Sequence, residues 1–368
     1  MSDAPRKPPR LLPGDPAPWF HAAVAGNPRY NFASTAGRYV LLVFLGPASN
    51  SASAAAAAAL QAAQAEGLLD DEHATAFAVS ADPADTIQDA RPGLRVLLDR
   101  DLAVSRRYGA AMPEAEARGV RYLPQVILLD PLLRVMEVAG LDQLPALLAR
   151  LRDLPPPGLH AGQETPAPVL LLPRVLEPEL CARLVATYEA KGGTESGFMV
   201  ERDGKTIGVH DPFAKRRRDC EITDETLQAA LRSRIVRRLA PEMRKAFQFN
   251  PTRIERYIVA CYDANEGGHF RAHRDNTTSG TAHRRFAVTI NLNDDFEGGE
   301  LWFPEFGPRR YRPPVGGAVV FSCSLLHEAT PVTRGIRYAT LPFLYDDAAA
   351  AVREAGRASL VAGRTSAA

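Results

Sequence analysis

The sequence predicts an α/β domain followed by an α+β domain, and three observations carry that prediction. A segment rich in proline and glycine, Leu154-Pro-Pro-Pro-Gly158 through Gly162-Gln-Glu-Thr-Pro-Ala-Pro168, divides the chain as an exposed connection between separately packed units does. Before it, short apolar strands alternate with helical stretches. After it, apolar residues first recur at helical spacing and then, from about residue 250, fall into closely spaced strands. With 368 residues, each part is long enough to bury a core of its own.

The first domain is expected over 1–153, with strands at Tyr39–Leu45, Thr75–Ser80, Arg95–Leu98 and Gln125–Asp130. Its clearest helix is Ser51–Glu66, because Ala, Leu and Gln are strong helix formers. The alanine run Ala54–Ala59 reads as a close-packed helix rather than a low-complexity tail. The linker takes 154–168, and the second domain 169–346 divides into a helical part, 169–249, and a strand-rich core, 250–346. Helices are expected at Glu177–Lys191 and Thr226–Phe247; Glu177-Pro178 marks a start, since proline in the first turn has no N–H to leave unpaired. Between them Gly192–Asp219, rich in glycine and charge, is either a lid over a site or a surface loop. The tail 347–368 is rich in alanine and reads as one helix that frays.

Charge excludes some partners. Basic and acidic side chains number 44 and 43, leaving no global field to attract nucleic acid or an anionic membrane. The run Lys215–Arg218 is followed at once by Asp219, Glu221, Asp224 and Glu225, so a solvated or salt-bridged face is favoured over an anion site. Met1–Arg10 has no apolar signal-peptide core, and no stretch reaches membrane-spanning length without polar residues. A cytoplasmic protein is expected. Cys181, Cys220, Cys261 and Cys323 lie at unrelated spacings and read as reduced, partly buried thiols.

The chemistry concentrates in His273-Arg274-Asp275, followed 52 residues later by His327 and ten after that by Arg337. Tyr257–Tyr262, a glycine-containing turn at Asn265–Gly268 and His269–His273 read as strand, turn, strand, with His273 and Asp275 projecting from one face. Gly317–Phe321 leads as a strand toward His327, and Arg337–Tyr345 follows, with Pro342 suggesting an edge or bulged strand. Two neutral imidazoles and a carboxylate suit Fe(II), taking three positions and leaving others open. A planar guanidinium such as Arg337 binds a carboxylate through paired, charge-assisted hydrogen bonds. His269 and His283 have no carboxylate two residues on and read as supporting or surface residues.

The stretches VACYDANEGGHFRAHRDN, INLNDDFEGGELWFPEFG and LLHEATPVTRGIRY, in this order, resemble the Fe(II)- and 2-oxoglutarate-dependent oxygenases of the prolyl 4-hydroxylase and PKHD type. The resemblance implies a double-stranded β-helix, or jelly roll, buttressed by helices. It also implies His273, Asp275 and His327 as catalytic iron ligands and Arg337 on the tail carboxylate of 2-oxoglutarate. Tyr262 falls where the family has a tyrosine near the cosubstrate, and Asn291 where some relatives have a polar or aromatic contact. The resemblance admits ascorbate as a further cofactor. The implied reaction takes O2, releases CO2 and succinate, and hydroxylates a C–H bond. Halide-transferring relatives have a small residue in place of the carboxylate, so Asp275 favours hydroxylation. The substrate is left as a peptidyl or free amino acid, in the manner of prolyl hydroxylases, or a small metabolite. A different class stays open: a non-catalytic sensor that binds iron and a 2-oxo acid.

The first domain is similar to the peroxiredoxin branch of the thioredoxin fold, through PGDPAPWF, YVLLVFLGPASNSAS, LLDRDLAVSRRYGA and LPQVILLDPLLRV. Pro124 stands where that fold commonly has a cis-proline. Peroxide reduction needs a low-pKa thiolate, and this domain has no cysteine, only Ser49, Ser51 and Ser53 in the corresponding neighbourhood. It is therefore expected to be catalytically silent. Docking, homo-oligomerisation, substrate presentation and simple stabilisation remain as its roles.

Overall fold

A computed structural model describes residues 11–47, 49–113 and 119–357. Met1–Arg10, read above as lacking a signal core, and the end of the tail, 358–368, lie outside the described residues. The chain divides into two compact units, Met1–Pro166 with Pro304–Gly307, and Ala167–Phe303 with Pro308–Ala368. It is mixed α/β and rich in sheet.

The first unit is built on a seven-stranded sheet in the order Asn27–Asn31, His21–Val24, Leu94–Leu98, Ala74–Ser80, Tyr39–Phe44, Gln125–Leu129, Val135–Ala139. Its central strands Tyr39–Phe44, Ala74–Ser80 and Leu94–Leu98 run parallel. The first two of them are buried throughout, as strands covered on both faces are. The helix Ser51–Ala65 starts at Asn50, whose side chain accepts from the Ala52 N–H, and buries Ser53, Ala56, Leu60 and Ala63 along one stripe. Ser53 Oγ accepts a hydrogen bond from the Gly46 N–H at 3.0 Å, which gives this hydroxyl a structural use. Among the described residues the cis peptide is Arg91-Pro92, so Pro124 is not cis.

In the second unit Leu170–Leu172, Ala318–Ser322, Phe286–Asn291, Ile336–Thr340, Ile258–Asp263, Arg218–Glu221 and Thr194–Glu195 lie side by side in one sheet. A second sheet orders Lys215–Arg216, His269–His273, His327–Ala329, Leu301–Trp302 and Arg310–Tyr311. Alternation assigns the faces of the first. Val259 and Cys261 join the core packed beneath the helices, whereas Ile258, Ala260 and Tyr262 join a separate cluster with Phe296, Ala329 and Val332. The helical side comprises Pro178–Lys191, Glu225–Arg234 and Ala240–Phe247, the last two joined by a π turn at Ile235–Leu239. Pro241 cannot donate a backbone hydrogen bond, and the widened turn falls where that donor is missing.

One expectation is corrected and one is narrowed. Pro342 does not mark an edge strand: it lies in the break between Ile336–Thr340, a central strand, and Phe343–Tyr345. Lys215–Arg218 takes the salt-bridged form of its expectation, through Arg217–Asp219 at 2.7 Å and Arg218–Glu266 at 3.0 Å, but it is not solvated throughout, because Lys215 and Arg217 are only 4% and 6% exposed. The Gly192–Asp219 segment is largely ordered as a hairpin, Phe198–Arg202 against Lys205–Val209. Thr206, fully buried, accepts from the Gly280 N–H at 2.9 Å, and Glu201 accepts from the Ser279 hydroxyl at 2.9 Å.

The four cysteines are all buried and free. Burial pushes every one of these thiols up, that of Cys181 to about 11. Among the described residues no helix is long and apolar enough to cross a membrane.

Candidate metal centre

His273 ends one strand of the second sheet and His327 begins the next, directly opposite in antiparallel register. Asp275 follows in the turn, its backbone N–H donating to Cys323 O at 3.0 Å, which pins the turn to the strand leading toward His327. Donor atoms of His273, Asp275 and His327 lie within 4.8 Å of one another. His273 Nε2 is 3.5 Å from Asp275 Oδ1, and His327 Nε2 is 3.4 Å from Asp275 Oδ2.

Both imidazoles are oriented through their other nitrogen. His273 Nδ1 is 2.7 Å from Arg271 O and His327 Nδ1 is 3.0 Å from Leu325 O. A carbonyl only accepts, so each Nδ1 carries the proton and each Nε2 presents a lone pair to the shared point. Burial and the neighbouring His273 lower His327 to about 4, which keeps it neutral at physiological pH. Burial opposes the charge on Asp275; while the imidazoles are protonated, His327 and His273 outweigh it and hold the carboxyl well below its ordinary range, and with the imidazoles neutral a bound cation would take that place. Phe270 stacks on His273 at 3.5 Å, and Phe321 meets His327 edge-on at 4.6 Å, so apolar rings limit water around the donors. Two imidazole nitrogens and one carboxylate within reach of one point match a three-ligand site for Fe(II) with further positions open.

The triad opens into a cavity that Arg217, Arg256, Tyr262, Thr289 and Arg337 also line. Arg337, 4% exposed, donates from Nε to Asn291 Oδ1 at 3.1 Å and from Nη2 to Thr289 Oγ1 at 2.8 Å. Both partners are neutral. Burial and then the nearby Arg217 lower its pKa, so its charge is held at a cost that an incoming carboxylate would relieve. Asn291 Nδ2 donates to Pro313 O, which leaves Oδ1 for Arg337. Asn291 thus stands behind the guanidinium, and Thr289, two residues earlier on the same face, occupies the cavity wall. Tyr262, 2% exposed, has its ring 5.3 Å from the Arg337 guanidinium and 5.7 Å from that of Arg217.

The sequence reading did not select Arg217, Arg256 or Thr289. The signal for Arg217 was present. In an extended chain Lys215, Arg217 and Asp219 share a face, and here Arg216 and Arg218 turn outward while Lys215 and Arg217 are buried. His283 is also buried, with Nε2 2.6 Å from Glu255 Oε2, and is a structural histidine outside the triad.

Residues 257–345 match the family described as the 2OG-Fe(II) oxygenase superfamily, a stretch that includes the triad and Arg337. A PKHD-type hydroxylase of Synechococcus sp. (strain JA-2-3B'a(2-13)) is 31% identical over 101 residues, 26% of this chain and 44% of that protein. One from Pseudomonas fluorescens is 38% identical over 92 residues, 23% of this chain and 40% of its own length. The chain thus spans less than half the length of these curated relatives. Among solved structures, a prolyl hydroxylase from Trichoplax adhaerens, in complex with a hypoxia inducible factor peptide fragment, is 19% identical with a TM-score of 0.38, covering 55% of this chain and 92% of that one. For the N-terminal part, a bacterioferritin comigratory protein of Xanthomonas campestris is 18% identical with a TM-score of 0.30, covering 36% and 90%.

Proposed function

We propose that this protein is an Fe(II)- and 2-oxoglutarate-dependent hydroxylase whose iron is held by His273, Asp275 and His327 and whose cosubstrate is anchored by Arg337. One observation carries the reading: a two-imidazole, one-carboxylate donor triad and a buried guanidinium hydrogen-bonded to two neutral side chains share one cavity. The 2OG-Fe(II) oxygenase match over the same residues supports it. On this reading the two sheets of the second unit are the halves of a double-stranded β-helix within an oxygenase domain spanning 169–346. The first unit is a thioredoxin-like domain without a catalytic thiol.

In this assignment the bound metal supplies oxygen activation, coupled to oxidative decarboxylation of 2-oxoglutarate. The chain's own residues do the rest. The Nδ1 hydrogen bonds of His273 and His327 fix the rings before metal arrives. Arg337, braced by Thr289 and Asn291, sets the distance at which the cosubstrate tail stops. Phe270, Phe321 and Leu301 line the cavity and exclude water from the reacting face.

The test is anaerobic reconstitution with Fe(II), addition of 2-oxoglutarate and O2, and measurement of succinate with and without candidate amino-acid, peptide and small-acid substrates. Substrate-stimulated succinate that His273→Ala abolishes is the expected result. Cosubstrate binding without turnover over the whole panel would overturn the hydroxylase reading in favour of a sensor.

A further inference from the structure

The cavity has a second cationic pole, separate from Arg337. Arg217 donates from Nη2 to Asp219 Oδ2 at 2.7 Å and to Ser196 Oγ at 3.1 Å, and from Nη1 to the Tyr262 hydroxyl at 3.3 Å. Its Nε is buried without a hydrogen-bond partner. Arg256 Nη2 reaches the same Asp219 oxygen at 3.0 Å. Lys215 Nζ is held by neutral acceptors, Ser196 Oγ at 2.8 Å and Gly197 O at 2.6 Å. One carboxylate, that of Asp219, therefore pairs with two guanidiniums, Arg217 and Arg256, and both residues line the cavity. Nearby Arg284 shows the contrast, because it has a carboxylate of its own in Glu255 at 2.7 Å.

Burying unmatched charge is costly unless a counter-ion arrives. The cosubstrate does not serve that purpose here. Its two carboxylates would be placed at Arg337 and at the metal with Asp275, so Arg217 and Arg256 would still share the single hydrogen-bonded carboxylate of Asp219. Burial and then Arg217 lower the Arg256 pKa to about 10, the direction expected for cations crowded together. Arg256 also holds φ at +73°, a left-handed conformation that a long side chain seldom adopts. Such backbone persists where surrounding structure over-determines it, and it clusters at ligand-binding positions.

We propose that Arg217 and Arg256 form a subsite for a substrate carboxylate, so that the substrate is an acid oxidised at a C–H bond close to its charged group. This rests on the hydroxylase reading for its chemistry. One oxygen atom of O2 enters the C–H bond as C–OH, the other enters succinate, and 2-oxoglutarate supplies the two remaining electrons and leaves CO2. The substrate carboxylate is unchanged and serves as the handle. Guanidinium pairs suit that role through parallel, charge-assisted hydrogen bonds.

The subsite is tested first without turnover. The full chain is loaded with Mn(II) and saturating N-oxalylglycine, an unreactive cosubstrate analogue, so that the triad and Arg337 are occupied. Sodium acetate is then titrated at constant ionic strength, with acetamide as the neutral control, and binding is read by calorimetry and, in a Zn(II)-loaded sample, by the arginine Nε–H NMR signals. Saturable acetate binding is expected, with none for acetamide. Arg256→Gln should weaken it at least tenfold, and Asp219→Asn, which removes the carboxylate hydrogen-bonded to both guanidiniums, should tighten it at least threefold. N-oxalylglycine affinity and thermal melting of the same variants report folding, and Arg256→Lys replaces Arg256→Gln if the latter does not fold, with loss of paired geometry still expected to weaken acetate. No saturable binding to the wild type, or equal affinity in the Arg256 variant and the wild type, overturns the subsite. In the turnover assay, free acids should stimulate succinate at least tenfold over their own amides. Equal stimulation by the amides overturns the substrate class while leaving the hydroxylase in place. Saturable acetate binding with no succinate from any compound leaves the subsite standing and overturns the hydroxylase reading.

Discussion

His273 and His327 are cross-strand partners in an antiparallel pair, with ring centroids 4.3 Å apart. Backbone pairing sets the two imidazoles side by side. Replacing either with alanine should therefore remove metal affinity without removing the sheet. Loss of a hydrogen bond that merely supports a ligand costs roughly 10–100-fold in affinity, and loss of a ligand should exceed that. Anaerobic Fe(II) titration with circular dichroism on the same samples checks both halves; wild-type affinity in His327→Ala would remove it from the ligand set.

Arg337→Gln should raise the dissociation constant for 2-oxoglutarate by roughly 10–150-fold, the loss of about 1.5–3 kcal/mol for a hydrogen bond to a charged group. Arg337→Lys should fall between, since an ammonium keeps the charge but not the fork. Calorimetric titration of the metal-loaded protein decides, and an unchanged affinity in the glutamine variant would place the cosubstrate elsewhere.

Glu255 accepts from His283 Nε2 at 2.6 Å and Arg284 Nη2 at 2.7 Å. Burial alone would raise its carboxyl, yet His283 and Arg284 bring it down to about 2 from an ordinary 4.5. A carboxyl lowered in the folded state contributes stability that is complete above the ordinary value and lost as pH falls toward the folded one. Urea unfolding should therefore show Glu255→Gln less stable than wild type by roughly 2–3 kcal/mol at pH 7, with the gap closing between pH 4.5 and 2. Parallel stability profiles over that range would contradict the assignment.

Thr206→Val leaves the half-buried Gly280 N–H without its acceptor and removes the Thr206 hydroxyl from Glu201. A cost of about 1–3 kcal/mol is expected, concentrated in the Phe198–Val209 hairpin. Hydrogen exchange should speed up in that hairpin and in 276–282 before it changes in the central strands. Uniform acceleration would show that the hairpin does not open on its own.

Much of the cavity could be read from the sequence, because His273, Asp275, His327 and Arg337 are polar residues in strand-like runs. The missed part has a physical reason. A charge run invites treatment as one block, whereas an extended chain sends Lys215 and Arg217 inward and Arg216 and Arg218 outward. The exchange of Asn291 for Thr289 at the cavity wall turns on how Arg337 reaches across from a strand 46 residues later, which local pattern does not encode. The hairpin fails to show for the same reason, since its anchors at Ser279 and Gly280 are remote in sequence. The strand and helix positions, by contrast, follow local propensity, as Ser51–Ala65 and Pro178–Lys191 show.

The four buried cysteines give the molecule a built-in reporter. With every thiol raised above its ordinary pKa and shielded from solvent, a thiol-specific reagent meets almost no thiolate while the second unit is folded. Labelling kinetics then measure opening of that unit alone, because the first contains no cysteine. A single cysteine placed on the surface of either unit would be the dominant reactive thiol, available for a dye or cross-linker with no native residue to remove first.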